Sequence, residues 1–471
     1  MNAVAAIRPP FPKTMPALSL APDEREAAVS LLRELIRLDT SNPPGNEGPA
    51  IGLLERRCRD LGLETVVDGA HPERPNLVAA WRASPAKRRG RPLVLSCHVD
   101  CVPADPERWT HSPWSAHHDG EHIWGRGTID MKGFAAMGFA ALARLRREGF
   151  EPDRDLLYVA VSDEEAGTRL GSRWLVEERP ELLGKPEYVL NEVGGFTVHR
   201  GGRRFYPVQV AEKGVAWLRL TVTGRPGHSS LPMRGHAVER LARAIEAISE
   251  ARLPWHPSEE ARRFLGGFAK PRGAVAERIA GLLCHPRLGP RLLPLLVPDS
   301  SRRASVEAVL RNTANTTSLV AGGSINVLPG TASVEIDGRL APGQRAADLV
   351  RELEAVLEPA LHGGYMIDLL RESPPVSFST ETPLYRAIER SLGEADPGGH
   401  VVPSIVPGFT DSLNYAQLGA QCYGFYPLRL PSSLDFAALF HGDDERIPVE
   451  GFLWGVEVLA GLLRSFLSED G

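Results

Sequence analysis

Two short segments place metal-ligand chemistry directly against an apolar run, and this restricts the folds open to the chain more than any other feature. The first reads Leu95-Ser-Cys-His98-Val-Asp100 and closes a run of strand character from Pro92 to Ser96. The second reads Gly125-Arg-Gly-Thr-Ile-Asp130-Met-Lys-Gly133 and opens onto a helical pattern from Phe134 to Arg147. In open α/β sheets functional side chains gather beyond the carboxyl ends of the strands, so this order points to that class.

The wider pattern agrees. Asp23 to Leu38 repeats Ala28, Leu31, Leu32, Leu35 and Ile36 at helical spacing, and Thr40-Ser-Asn-Pro-Pro-Gly-Asn46 stops it. A second helix is predicted over Gly48 to Leu61, with strands at Leu63–Val67, Asn76–Trp81, Asp155–Val161 and Tyr188–Leu190. From Val215 the character changes: Val215 to Thr223 alternates like a half-buried antiparallel strand. Strands are predicted at Ala314–Val320, Ser324–Asn326, Thr331–Leu340 and Tyr365–Leu370, with helices at Gly235–Ser249 and Ala347–Leu357. After Glu381 the first character returns, with helices at Thr382–Leu392 and Val449–Leu467. The simplest organisation is an α/β chain: a mixed-sheet α/β/α catalytic domain over residues 1–212 and 373–471, with a smaller α+β lid or dimerisation domain inserted at 213–372. Residues 250–310, with Trp255, Phe264, Leu265, Phe268 and a Leu/Pro run to Pro298, form an apolar insert within it. Core packing or a subunit contact is the simplest reading of that insert, and a wall facing a ligand is the alternative.

The chain has 471 residues, more than one typical core, and its 42% apolar and 24% charged composition is that of a folded protein. A net charge of -5 leaves no nucleic-acid footprint. Five cysteines without a ligand or disulfide spacing favour a reducing compartment. No window of 18 uncharged apolar residues is present, so no membrane span is expected. The N-terminal residues 1–22 are Pro-rich and read as loose, without a signal-peptide pattern, which makes the cytoplasm the expected location.

His98 and Asp100 share one face of an extended backbone, so Asp100 is placed either to ligate or to orient the imidazole; a plain surface His-Asp pair is the bland alternative. Cys97 points the other way. Asp130 follows glycines that permit close backbone approach, and its two oxygens can bridge two cations about 3.5–4 Å apart; it could equally cap the Phe134 helix. Asp163, Glu164 and Glu165 follow a strand, where adjacent carboxylates repel unless a cation is present. One can ligate and the other hold a water as general base, or all three can sit on a solvated loop. Glu192 ends another predicted strand, and His441 is the best late ligand candidate.

In order along the chain, Thr40-Ser-Asn-Pro-Pro-Gly-Asn-Glu47, His98-Val-Asp100, Gly125 to Gly133, Asp163-Glu-Glu165, Asn191-Glu-Val-Gly-Gly195, Gly227-His-Ser-Ser230, Asn326-Val-Leu-Pro329, Asp337-Gly-Arg339 and His441-Gly-Asp443 resemble the aminoacylase/carboxypeptidase family of co-catalytic zinc metallopeptidases. The resemblance covers about residues 25–468. It implies that His98 and Glu192 hold one zinc, Glu165 and His441 the other, with Asp130 bridging. Two zinc ions per subunit are implied, although cobalt or manganese suit the same ligands. Asp100 would orient His98, Glu164 would be the general base, and His228 would stabilise the oxyanion, often from a partner subunit, which implies a homodimer. Asn326, Arg339 and Arg371 would contact substrate. Gly408-Phe-Thr-Asp411 departs from the commoner Gly-Gly-Thr-Asp, so Phe409 would narrow the pocket near the carboxylate end.

The expected activity is hydrolysis of an N-acyl amino acid, with an apolar acyl or side-chain group favoured by the insert. A di- or tripeptidase or carboxypeptidase of the same mechanism is the alternative. A non-catalytic binding module would lack a ligand or the base, and a one-metal aminopeptidase would hold a single ion.

Overall fold

The computed structural model describes residues 20–434 and 436–468. Most of the Pro-rich N-terminal stretch therefore lies outside the described residues. Its last part is not loose: the Leu20 N–H donates to Glu457 Oε1 at 2.8 Å, and a helix begins at Pro22. The chain divides into two compact units. The first runs through Val210 and continues over Phe378–Pro403 and from Thr410 on; the second is Ala211–Ser377 with Ser404–Phe409.

A mixed sheet organises the first unit. Its strands lie in the order Glu64–Asp68, Asn76–Trp81, Leu156–Val161, Leu93–His98, Tyr188–Asn191 and Gln421–Gly424. Leu93–His98 runs parallel to both of its neighbours, placing His98 beside Val161 and Leu95 beside Leu190. These three strands are buried along their whole length, as parallel strands covered on both faces must be. Their carboxyl ends therefore open at one edge, and each is followed at once by a polar segment. The Pro22–Ile36, Lys132–Arg147 and Val449–Phe466 helices pack on one another, burying Leu32, Leu35, Phe134, Met137, Phe452 and Leu459.

The second unit has a four-stranded antiparallel sheet in the order Thr313–Ala321, Thr331–Leu340, Gly214–Thr223, Tyr365–Ser373. Period-two burial along Thr331–Leu340 shows one face packed. The Ala237–Glu250 and Ala346–Leu361 helices supply Leu241, Ala244, Leu349 and Leu353 to that core, with Leu218, Leu220 and Ile336 from the sheet. Ser324–Asn326 is not a strand; the short strand lies just beyond it, at Val327–Leu328, and pairs with Gly227–His228. Pairing, rather than propensity, decides where so short an element lies.

The 250–310 insert is helical. Ser258 caps Glu259–Ala269 by accepting the Ala261 N–H, and Asp299 caps Ser300–Leu310 by accepting the Arg302 N–H. Ala274–Leu283 and Gly289–Leu296 lie between them. Trp255, Leu265, Leu283, Leu293 and Leu310 form its core, so core packing accounts for part of its apolar content. No helix among the described residues is long and apolar enough to cross a membrane.

Candidate metal centre

Five segments of the first unit bring acidic and imidazole groups together at the open edge of the parallel strands. His98 ends its strand, Glu164 and Glu165 follow Leu156–Val161, and Glu192 follows Tyr188–Asn191. His98 Nε2 lies 3.1 Å from Asp130 Oδ1 and 3.5 Å from Glu192 Oε2. His441 Nε2 lies 2.9 Å from Asp130 Oδ2 and 3.2 Å from Glu165 Oε2. The two oxygens of Asp130 thus face two different histidines. Ligand atoms of His98, Glu164 and Glu192 lie within 4.8 Å of one another, and so do those of His98, Asp130 and Glu165. Asp130 does not cap the following helix, whose N-cap is Met131.

His98 Nδ1 faces the backbone carbonyl of Asp100 at 3.1 Å. A carbonyl only accepts, so Nδ1 carries a proton, and Nε2, directed at the carboxylates, is the nitrogen that a cation would take in place of its proton. The Asp100 side chain is nearer to a different task. Its Oδ1 accepts the Glu164 N–H and its Oδ2 the Glu165 N–H, each at 3.1 Å, and Asn42 Nδ2 donates to Oδ2 at 2.8 Å. His98 Nδ1 is 3.5 Å from Oδ1. Behind it, Asp163 is held by Arg74 Nη2 at 3.0 Å and Asn42 Nδ2 at 3.2 Å, and Glu47 accepts from Arg74 at 2.6 Å. Cys97 turns away from this cluster, with Sγ 3.7 Å from Tyr158 Oη, and burial pushes its thiol up to about 12.

The electrostatics are those of a crowded acidic pocket. Burial raises Glu164 well above the usual carboxylate range, and Glu192 adds to it. Burial, with Asp130 nearby, raises Glu165 to about 7, and burial raises Glu192 to about 8. His441 is raised to about 10 by Asp130 and Glu165. Burial alone would lower His98, but Glu192, Asp100 and Asp130 raise it well above the ordinary imidazole value. Asp130 stays low against its burial because both histidines adjoin it. Glu165 Oε1 and Asp130 Oδ2 are buried without a well-directed hydrogen bond. Two imidazole nitrogens, several carboxylates and the buried Glu165 Oε1 fit a pair of divalent cations, which would offset the crowding of like charges.

Reading by residue type missed three groups. Glu445, fully buried, organises the turn before Asp130, and nothing in its local sequence marks it. Asn42 sits in the Thr40–Glu47 stretch without an obvious task until Asp100 is seen beside it. Asp411 is buried, bonded to Ser172 Oγ through Oδ1, and raised to about 6 by burial.

The remaining candidates lie in the second unit. His228 is exposed, with Nδ1 2.8 Å from Ser230 Oγ, and the Asn326 carbonyl accepts the adjacent Ser229 N–H at 3.2 Å. The Arg339 guanidinium lies 5.4 Å from the Phe409 ring, and the Arg371 guanidinium 5.8 Å from the same ring and 5.0 Å from that of Trp217. Asp337 accepts from Arg339 at 2.9 and 3.1 Å.

Residues 94–465 match the model of peptidase family M20/M25/M40. The chain belongs to this family. It is 28% identical to human Aminoacylase-1 over 460 residues, covering 96% of this chain and 98% of the relative. It is 29% identical to the "Probable carboxypeptidase S-like 2" of Dictyostelium discoideum over 381 residues, 80% of this chain and 72% of the relative. The fold matches an M20 family metallo-carboxypeptidase of Sulfolobus solfataricus at a TM-score of 0.67, with 18% identity, over 93% of this chain and 99% of that one. As an M20/M25/M40 peptidase the chain is a metal-dependent hydrolase, and its clustered His and Glu side chains are consistent with a two-metal mechanism.

Proposed function

We propose that the protein hydrolyses the amide of an N-acyl amino acid at a two-zinc centre. The observation that carries the two-metal part is Asp130, whose two oxygens are each within 3.1 Å of a different imidazole. In this assignment His98 and Glu192 would hold one ion and Glu165 and His441 the other, with Asp130 shared between them. Two divalent cations, when bound, lower the pKa of a water and polarise the scissile carbonyl.

The chain's own residues do the rest. Glu164 takes a proton from the attacking water and returns it to the leaving amine. Asp100 fixes the Glu164–Glu165 backbone by accepting both N–H groups, and its main-chain carbonyl fixes the His98 tautomer. His228 supplies charge for the developing oxyanion, in a homodimer that brings it to the site.

Two observations support this substrate class. One is the likeness to Aminoacylase-1 along nearly the whole of both chains. The other is the pair Arg339 and Arg371 beside Phe409, two cations suited to the free carboxylate of an amino acid, with Asn326 as a further polar contact. The test is turnover of N-acetyl, long-chain N-acyl and dipeptide substrates with zinc, cobalt or manganese supplied. N-acyl amino acids are expected to be cleaved fastest. Preference for dipeptides would replace this reading with a dipeptidase, and no turnover of any class would remove it.

A further inference from the structure

Two consecutive helices of the insert carry apolar side chains on the side turned away from their core. The Ala274–Leu283 helix buries Leu283 and packs Ala280 against the insert core. Its other stripe holds Val275, Ile279 and Leu282, spaced by four and three residues and so on one helical face. Their exposures are 71%, 41% and 43%. The adjoining Gly289–Leu296 helix buries Leu293 yet leaves Leu295 77% and Leu296 44% exposed, and Leu288 just before it is 41% exposed. The two helices pack against each other. Single exposed apolar side chains need no explanation, but a group of this size on adjoining helices marks a surface that something covers.

The same stretch is basic. From Lys270 to Arg291 the chain has five basic residues against one acidic, Glu277, in a protein of net charge -5. Lys270, Arg272, Arg278, Arg287 and Arg291 are all exposed. Arg278 lies within the Val275–Leu282 stripe itself. Arg272 and Arg291 donate to the carbonyls of Phe268 and Arg287, at 3.0 and 3.1 Å, rather than to carboxylates. Their charge is left for a partner.

We propose that this face docks onto an anionic lipid surface, with the apolar side chains entering the acyl boundary and the basic groups meeting lipid phosphates. The charge selects this occupant. A second copy of the chain would set these arginines against their own kind, whereas an anionic surface neutralises them. The proposal rests on the insert alone and is independent of which amide is cleaved.

Flotation of the full chain with vesicles tests it, using phosphatidylcholine alone and phosphatidylcholine with about a third phosphatidylglycerol. Binding is expected only to the anionic vesicles and is expected to fall when salt is raised toward about 1 M. A triple variant Val275→Ser, Ile279→Ser, Leu295→Ser and a second, Arg278→Glu, Arg287→Glu, Arg291→Glu, should each weaken binding by about tenfold or more. All six side chains are exposed, so circular dichroism and amide hydrolysis in vesicle-free solution should match the unmodified protein. The proposal is overturned if the protein binds no vesicle, if both variants float as the unmodified protein does, or if the substitutions dissociate a dimer while vesicles bind nothing.

Discussion

Glu445 holds Asp130 by its main chain. Glu445 Oε1 accepts the N–H of Asp130 at 3.2 Å and that of Ile129 at 2.6 Å, while Oε2 accepts the Gly127 N–H at 3.1 Å and Arg126 Nη1 at 2.7 Å. Glu445 stands four residues after His441. One buried carboxylate therefore shapes the turn that carries Asp130 and anchors the segment that carries His441.

Replacing it should loosen both together. Glu445→Gln keeps the shape but leaves Arg126 without its buried counter-charge, a loss of about 3–5 kcal/mol. Metal affinity should fall about 10- to 100-fold, because the residues that position ligands weigh nearly as much as the ligands. Urea midpoints and calorimetric zinc titration read the two effects. Lower stability with unchanged affinity would confine Glu445 to a structural role.

Asp100 gives a sharper split. An Asn at this position has one acceptor oxygen where the carboxylate has two, so the Glu164 N–H, the Glu165 N–H and Asn42 cannot all be satisfied. Asp100→Asn is expected to lower kcat by about 10- to 100-fold with a smaller change in KM. A kcat within about twofold of the unmodified enzyme would show that this anchoring does not matter.

Glu164 stands at a fork, because it lies close enough to His98 and Glu192 to be a ligand as well as a base. As the base, Glu164→Gln should lower kcat by about 10²- to 10⁴-fold while the protein still holds two metal ions. Metal analysis alongside single-turnover kinetics decides it. Loss of one ion in the variant would make Glu164 a ligand and move the base elsewhere.

Lys213 sets a pH dependence in the second unit. It is fully buried, donating to the Ala308 and Arg311 carbonyls at 2.8 and 2.9 Å. Burial first, helped by Arg339 and Arg311 and opposed by Asp337 and Glu352, lowers its pKa from 10.5 to about 7. Between these values the unfolded chain binds the proton that the folded chain does not, so stability should rise with pH from about 7 to about 10 and level off below about 7, where both states are protonated. Lys213→Met should be less stable overall, with two carbonyls left unpaired, and should lose that slope. Equal slopes in thermal melts of the two proteins would show that Lys213 stays charged when folded.

Much of the fold can be read along the chain because its signals are local. Strands such as Leu156–Val161 are uninterrupted apolar runs, helices such as Pro22–Ile36 repeat at 3.6 residues, and neither pattern needs a distant partner to be seen. The short Val327–Leu328 strand has no such signal, and the expected Ser324–Asn326 stops just short of it. The insert shows the limit from the other side. Its leucines announce burial, yet Leu293 is buried and Leu295 exposed, and only the packing of neighbouring helices separates them.

The candidate site divides in the same way. Residue type and position after a strand were enough to single out His98, Glu164, Glu165 and Glu192, whereas Asp130 stood out by the glycines before it and His441 only as the late residue that completes an acid-heavy ligand set. Parallel pairing of three consecutive apolar strands then makes His98, Glu164 and Glu192 neighbours almost by necessity, since their carboxyl ends share one edge. What the chain order does not contain is how His441 reaches the second oxygen of Asp130, how Glu445 grips the turn beneath it, or that Asp100 serves the Glu164–Glu165 backbone. Those contacts join segments up to more than 300 residues apart. They depend on how loops settle over a packed core, and side-chain periodicity carries no information about that.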